Sequence, residues 1–99
     1  MNHKTLTLLG FAKKANYVIS GEEAVASFLK KNIIKMLVVA KDAPEKKKKQ
    51  WAQAAREMDL EYMESSDKES LGIAIGTSPR AVIGILDEKM AKSLKNTER

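Results

Sequence analysis

The sequence predicts an α/β fold in which a central sheet carries helices on both faces. Three observations support this. Apolar residues alternate along the chain between helical spacing and short β-rich runs. Met36 to Ala40 is an unbroken apolar run, the mark of a strand covered on both faces. Tyr17 to Ala40 reads as a short strand, a glycine-started helix and that buried strand, a crossover of the kind that joins parallel strands.

The elements follow in order. Lys4 to Lys14 is a helix with Leu6, Leu8, Leu9 and Ala12 at helical spacing. Gly10 weakens it by about 1 kcal/mol relative to alanine, unless another element packs close there. Ala15-Asn16 ends it, since asparagine tolerates a left-handed turn. Tyr17 to Ser20 is a strand of aromatic and β-branched types. Ser20 and Glu23 have the spacing of a capping box, so Ser20 is expected to cap the next helix. That helix runs to Lys31, with Ala24, Val25, Phe28 and Leu29 as its inner stripe.

Beyond the strand at Met36–Ala40, Asp42 is expected to cap and Pro44 to sit in a first helical turn. A helix from about Glu45 to Met58 buries Trp51, Ala52, Ala54, Ala55 and Met58. Glu61 to Glu64 is a strand near an edge, because charges flank it. Ser66 and Glu69 repeat the capping-box spacing. Leu71, Ala74 and Ile75 form the inner face of the helix that follows, and Gly76 stops it. Thr77 to Arg80 is a loop and Ala81 to Leu86 the last strand. Asp87 caps a terminal helix whose inner face is Met90, Ala91 and Leu94, and Asn96 to Arg99 are expected to fray.

Ninety-nine residues are expected to make one domain, spanning 1–99, with a modest core. The absence of cysteine excludes disulfides, thiolate metal sites and a cysteine nucleophile, and fits a reducing compartment. No apolar run is long enough for a signal peptide or membrane span, so a soluble cytoplasmic protein without a membrane partner is expected. The net charge of +5 is uneven: residues 1–56 carry +8 and residues 57–99 carry −3. A basic half of this kind raises the expectation of a nucleic-acid partner. A solvated lysine surface is the plainer reading.

Catalytic signals are weak. His3 is the sole histidine and lies near a terminus. The serines have no histidine partner, which argues against an acyl-transfer triad. Glu22-Glu23 lacks metal-ligand spacing, and capping accounts for Glu23. Gly21 stands alone, outside any glycine-rich phosphate loop. A non-enzyme with no cofactor, no metal and no small-molecule substrate is expected.

Binding is better supported. The helix starting at Gly21 offers free N–H groups and a positive dipole end. The loops after Ser20, Ala40 and Gly76 are read as meeting at one edge, bringing Lys41, Ser78, Pro79 and Arg80 with them. Lys13 and Lys14 end the helix before the same strand. Arg80, with its planar and always charged fork, is the choice for a phosphate or base-edge contact. Lys46 to Lys49 cover a full helical turn and cannot all face one way, so most of them are expected to be solvated.

Several stretches in order resemble one family. They are Leu8-Leu9-Gly10-Phe11-Ala12-Lys13-Lys14-Ala15, Ser20-Gly21-Glu22-Glu23, Met36 to Ala43, and Leu71-Gly72-Ile73-Ala74-Ile75-Gly76 closing on Arg80 to Ile85. The chain resembles the ribosomal protein L-seven-Ae / L-thirty-e superfamily from about Leu6 to Leu94, most closely its short bacterial YlxQ-like members. The resemblance implies a three-layer α-β-α sandwich with a mixed sheet of about four strands. It implies a ribosomal or ribosome-associated RNA-binding protein, a monomer whose partners are structured RNA and a ribosome or other ribonucleoprotein. The implied target is the kink-turn, a bent helix–bulge–helix RNA. Carried over, the RNA-contacting regions are Gly21, Glu22, Glu23 and Ser27, the Lys41-Asp42 corner, and Thr77, Ser78, Pro79, Arg80 and Ala81. Lys13, Lys14 and Lys30 supply further charge.

The match departs from the family at one place. Tight kink-turn binders of the family carry Gly-x-Asn-Glu at this helix start and a lysine one turn later. Here Glu23 replaces the asparagine, Ala24 the glutamate and Ser27 the lysine. A good base contact is worth about 1–3 kcal/mol, so losing two implies binding weaker by roughly a hundredfold or more. The expected function is therefore kink-turn-type recognition with weakened or altered specificity. The alternative is a protein-interaction module on the same fold whose RNA surface has been lost.

Overall fold

The computed structural model describes residues 3–98. The elements are α1 (His3–Lys14), β1 (Val18–Ser20), α2 (Glu22–Lys30), β2 (Met36–Val39), α3 (Glu45–Glu57), β3 (Glu61–Glu64), α4 (Lys68–Ala74), β4 (Val82–Ile85) and α5 (Glu88–Thr97). The alternation read from the sequence is thus present throughout, with ends shifted by a residue or two.

The sheet has four strands in the order β1-β4-β2-β3. It is mixed: β2 and β3 are parallel, and β4 is antiparallel to both β1 and β2. The β1–α2–β2 crossover therefore does join strands of like direction, but β4 lies between them. The directly paired parallel unit is β2–α3–β3. On one face α1 packs against α4 and α5, while α2 and α3 lie on β1, β4, β2 and β3. The result is the expected three-layer α-β-α sandwich. β3 lies at an edge, as its flanking charges indicate.

Every residue of β2 and β4 is buried, as the unbroken run Met36–Ala40 requires. The core fills both sides of these strands with Leu9, Val25, Leu37, Val38, Leu71, Ile83, Ile85 and Leu94. Gly10 meets the close neighbour its position called for. A Cβ there would lie 3.3 Å from the carbonyl oxygen of Ala74, so the glycine lets α1 approach α4. Asn16 adopts the left-handed conformation after α1, and Gly76 does so just beyond α4.

The predicted caps are corrected at three positions. Gly21, not Ser20, is the N-cap of α2, and no side chain among the described residues caps that helix. The N-cap of α4 is Asp67, which accepts from the Ser70 amide at 2.7 Å. Ser66 instead takes a positive φ, and its hydroxyl is buried without a partner among the described residues. The N-cap of α3 is Pro44 itself, and the Asp42 carboxylate accepts from the Lys68 amide, 2.9 Å away. Asp87 caps α5 as expected, accepting from the Met90 amide at 2.9 Å. The end of α5 is held in place: the Thr97 hydroxyl donates to Leu94 O and hydrogen-bonds Thr5 on α1. Arg99 lies outside the described residues.

Candidate functional site: a cleft at one end of the sheet

β1 and β2 run in the same direction, so the loops that follow them emerge at one end of the sheet. β4 is antiparallel to both and starts there. Three segments meet as a consequence: Ser20 to Ala24, Pro44 with the first turns of α3, and Pro79 to Ala81. Together with Lys68 they line an open cleft of about 750 Å³, whose walls also include Lys47 and Trp51.

The wall formed by α2 begins at Gly21, whose φ of 94° and ψ of 153° suit glycine and strain other residues. The Gly21 amide donates to Val82 O at 3.1 Å, which ties the helix start to β4. No acceptor within the described residues reaches the amides of Glu22, Glu23 and Ala24. With no side-chain cap, these N–H groups and the positive end of the helix dipole face the cleft side of the sheet. The neighbouring carboxylates temper this charge. Glu22 is paired with Lys47 at 2.9 Å, whereas Glu23 has no hydrogen-bond or ion-pair partner among the described residues.

Arg80 holds the opposite wall together. Its Nε donates to Ser20 Oγ at 3.1 Å, and Nη1 donates to Ser78 Oγ at 2.7 Å and to the carbonyls of Ser78 and Pro79. The guanidinium thus fastens the loop before β4 to the end of β1. Nη2 makes no hydrogen bond among the described residues and remains able to take a ligand oxygen. The loop is also fixed from below: the Thr77 amide donates to Gly72 O at 2.8 Å and the Arg80 amide to Lys68 O at 3.0 Å.

Of the residues singled out by sequence, Gly21, Glu22, Glu23, Pro79, Arg80 and Ala81 line this cleft. Ser78 and Asp42 touch its walls through Arg80 and Lys68. Thr77 precedes the same loop, and its hydroxyl donates to Ser78 O at 2.8 Å. Ser27 is exposed one turn along α2. Lys41 is at the same end but lines a separate hollow with His3, Lys4, Ser65, Ser66, Asp67 and Glu98. Lys13, Lys14 and Lys30 are elsewhere. α1 ends just before β1 begins, and α2 runs back from Gly21 to Lys30, about 13 Å at 1.5 Å per residue. These three lysines therefore sit at the far end of the sheet from Arg80.

Three lining residues carried no sequence signal for the site. Lys68 opens α4 and Trp51 reads as a core residue. Lys47 is one of four adjacent lysines, and only the packed helix tells them apart. Lys48 is also distinct within that run. Its Nζ donates to Lys41 O at 3.0 Å and pairs with Glu45 at 3.0 Å and Glu64 at 3.6 Å, so it pins α3 to the sheet. The hydrogen bond to Glu45 raises the Lys48 pKa and lowers that of Glu45. Beside them the Tyr62 hydroxyl donates to Glu64 at 2.8 Å, and burial foremost pushes its pKa well above the usual tyrosine range. This group braces the scaffold next to the cleft. Among the described residues no three His, Asp or Glu side chains cluster to hold a metal ion, and no helix is long and apolar enough to cross a membrane.

A mixed β1-β4-β2-β3 sheet between two helical layers, with converging loops at one end, is the architecture of a ribosomal-protein-like α-β-α sandwich. The sequence profile of the ribosomal protein L7Ae/L30e/S12e/Gadd45 family matches residues 3–95, and the chain belongs to that family. Among its relatives is a protein of Enterococcus faecium named RNA-binding protein YlxQ, 32% identical over 92 residues, which cover 93% of this chain and 88% of that one. A solved protein of unknown function from Bacillus halodurans superposes with a TM-score of 0.89 at 28% identity, covering 95% of both chains. The Giardia lamblia 15.5kD RNA binding protein shares the fold, with a TM-score of 0.79 at 18% identity over 95% of this chain and 81% of its own.

Proposed function

We propose that this chain is a non-catalytic RNA-binding protein, monomeric, cytoplasmic and ribosomal or ribosome-associated, which recognises kink-turn-type RNA with weakened or altered specificity. The observation that carries this reading is the convergence of the uncapped α2 start, Lys68 and Arg80 on one cleft. Family membership and the name of the Enterococcus faecium relative support RNA as the partner. In this reading a phosphate takes the free amides of the α2 start and the cations beside them. An unstacked base rests on the loop from Thr77 to Ala81, positioned by Arg80. Glu23, Ala24 and Ser27 supply less base readout than an Asn-Glu pair and a lysine, so affinity leans on shape and charge.

The test is a titration against a kink-turn RNA and a straight duplex of equal length at about 50 and 200 mM salt. Four phosphate contacts would lower affinity by roughly a hundredfold over that range. Preference for the kink-turn that persists at the higher salt is the expected result. Equal, salt-sensitive binding to both RNAs replaces the kink-turn with another RNA. Binding to neither favours a protein-interaction module on the same scaffold.

A further inference from the structure

We propose that the end of the sheet opposite the cleft is a second RNA-contact surface for a single-stranded segment, with Lys13, Lys14, Lys30 and Lys31 on its phosphates and Tyr17 stacked on one of its bases. The inference rests on RNA as the partner of this chain. It adds a separate place on the molecule, so that two RNA segments are held at once.

The surface is built from two matching helix ends. α1 and α2 each close on a lysine pair, Lys13-Lys14 and Lys30-Lys31. Each pair is followed by an asparagine in the left-handed conformation, Asn16 with φ 63° and Asn32 with φ 58°. An exposed aromatic or apolar residue comes next, Tyr17 at 37% and Ile33 at 40% exposure. α1 ends just before β1 begins, and α2 packs back along β1 from the other face, so both ends lie beside the start of that edge strand. The chain beyond each pair is tied to the same end of β4. The Leu86 amide donates to Tyr17 O at 2.8 Å, and the Lys35 amide donates to Ile85 O at 2.7 Å.

All four lysines are exposed, and none makes an ion pair or a side-chain hydrogen bond among the described residues. The Lys31 ammonium lies 4.7 Å from the centre of the Phe28 ring, a contact that leaves its charge uncompensated. Residues 11–18 and 28–36 contain no Asp or Glu. Cations at helix C-termini answer the helix dipole, which is the plain account of the lysines. It does not account for Tyr17 and Ile33, because the residue after such a turn ordinarily packs back on its own helix. Unpaired lysines around an exposed aromatic ring suit a single strand: the ammonium groups neutralise phosphates, and the ring meets a base face that a duplex keeps stacked. Neighbouring carboxylates set the boundary. Asp59, Glu61 and Glu88 line a hollow on the far side of Lys35, which turns a polyanion away from β3 and towards α1 and α2.

The experiment uses the full chain, a short labelled oligouridine read by anisotropy, and an unlabelled kink-turn RNA with paired ends and no run of adenines. Oligouridine is expected to bind the parent equally well with and without saturating kink-turn RNA. In the variant with Lys13, Lys14, Lys30 and Lys31 all changed to Gln, oligouridine binding should weaken by roughly tenfold or more at low salt, and the slope of log affinity against log salt should be about 3 units shallower. Kink-turn binding by the same variant should stay within a few-fold of the parent. Tyr17→Leu keeps an apolar side chain and should weaken oligouridine binding by roughly fivefold or more, with the salt slope unchanged. Displacement of oligouridine by kink-turn RNA, or equal oligouridine binding by parent and variants, overturns the second surface and leaves the RNA-binding reading standing. Binding of kink-turn RNA with no binding of oligouridine does the same. Oligouridine binding without kink-turn binding keeps this surface and removes the kink-turn from the reading above. If neither RNA binds the parent chain, both fall together.

Discussion

Replacing Gly72 by alanine sets two physical effects against each other. Gly72 lies within α4, where alanine is the better helix former by about 1 kcal/mol. Propensity alone therefore predicts a more stable protein. The packing predicts the reverse. A Cβ on Gly72 would sit 2.3 Å from the Ser78 carbonyl oxygen, 2.7 Å from the Ser78 carbonyl carbon and 2.9 Å from Pro79 Cα. All three are backbone atoms, so no rotamer change relieves the overlap. Either α4 shifts, or the loop before β4 lifts and loses the Thr77 amide bond to Gly72 O at 2.8 Å.

Overpacking of this kind costs about 1–3 kcal/mol. Set against the propensity gain of about 1 kcal/mol, the middle of that range leaves a net loss of about 1 kcal/mol, which lowers Tm by about 4–8 °C in a domain of this size. The displaced segment carries Ser78 and Pro79, both bonded to Arg80, so RNA affinity should fall with stability. Thermal unfolding followed by circular dichroism, and RNA titration well below the variant's Tm, read the two effects separately. A variant with unchanged or higher Tm and unchanged affinity would refute the close approach of α4 to the loop.

Other expectations follow from the same contacts. Arg80→Ala removes the tie between β1 and the loop, so it should weaken RNA binding at both salt concentrations and lower stability by about 1 kcal/mol. Ser20→Ala, which deletes one of the acceptors of Arg80, should give a smaller drop in the same titration. Within the lysine run, Lys48→Met should lower Tm, because it breaks the contacts with Lys41 O, Glu45 and Glu64, while Lys49→Met should leave Tm unchanged. Equal effects from the two variants would mean that α3 is not pinned as described. The Asp67 pKa is lowered by hydrogen bonds from Ser70, so its cap is fully stabilising above the unfolded value near 3.8 and fades as pH falls through the lower folded value. The Tm difference between parent and Asp67→Ala should therefore be constant from neutral pH to about pH 5 and shrink below about pH 4. A difference that persists in stronger acid would assign the loss to something other than the ionised cap.

Much of the architecture was legible because burial imposes a period on the sequence. Met36 to Val39 is apolar at every position because helices cover both of its faces, and Leu9 with Ala12 marks the inner face of α1. The insertion of β4 between β1 and β2 was not legible, because strand order is decided by contacts distant in sequence. The site was legible in part. Gly21 and Arg80 announce themselves by residue type, and the order of elements brings them together. Lys13 and Lys14 were grouped with them because they end α1 just before β1, and Lys30 through its charge, but β1 separates its two ends and charge carries no information about which end of the sheet a residue occupies. Lys68 and Trp51 were missed because nothing local separates a lysine that opens a helix, or a tryptophan on an inner face, from its structural equivalents elsewhere.

Two of the three failed caps share a physical cause. Ser20, Asp42 and Ser66 each have the residue type that ends a strand and begins a helix, and none of them caps the helix that follows it. Ser20 accepts instead from Arg80, and Asp42 from the first amide of α4. Both bonds link segments that are distant in sequence, and both lie at the end of the sheet where the cleft opens. A side chain that serves a long-range bond there is withdrawn from its local helix. The start of α2 is left with unpaired amides as a direct consequence. Local rules fail most often where a fold sets aside local satisfaction for a binding site. Here that diversion leaves the α2 start open for a ligand and holds Arg80 in place beside it.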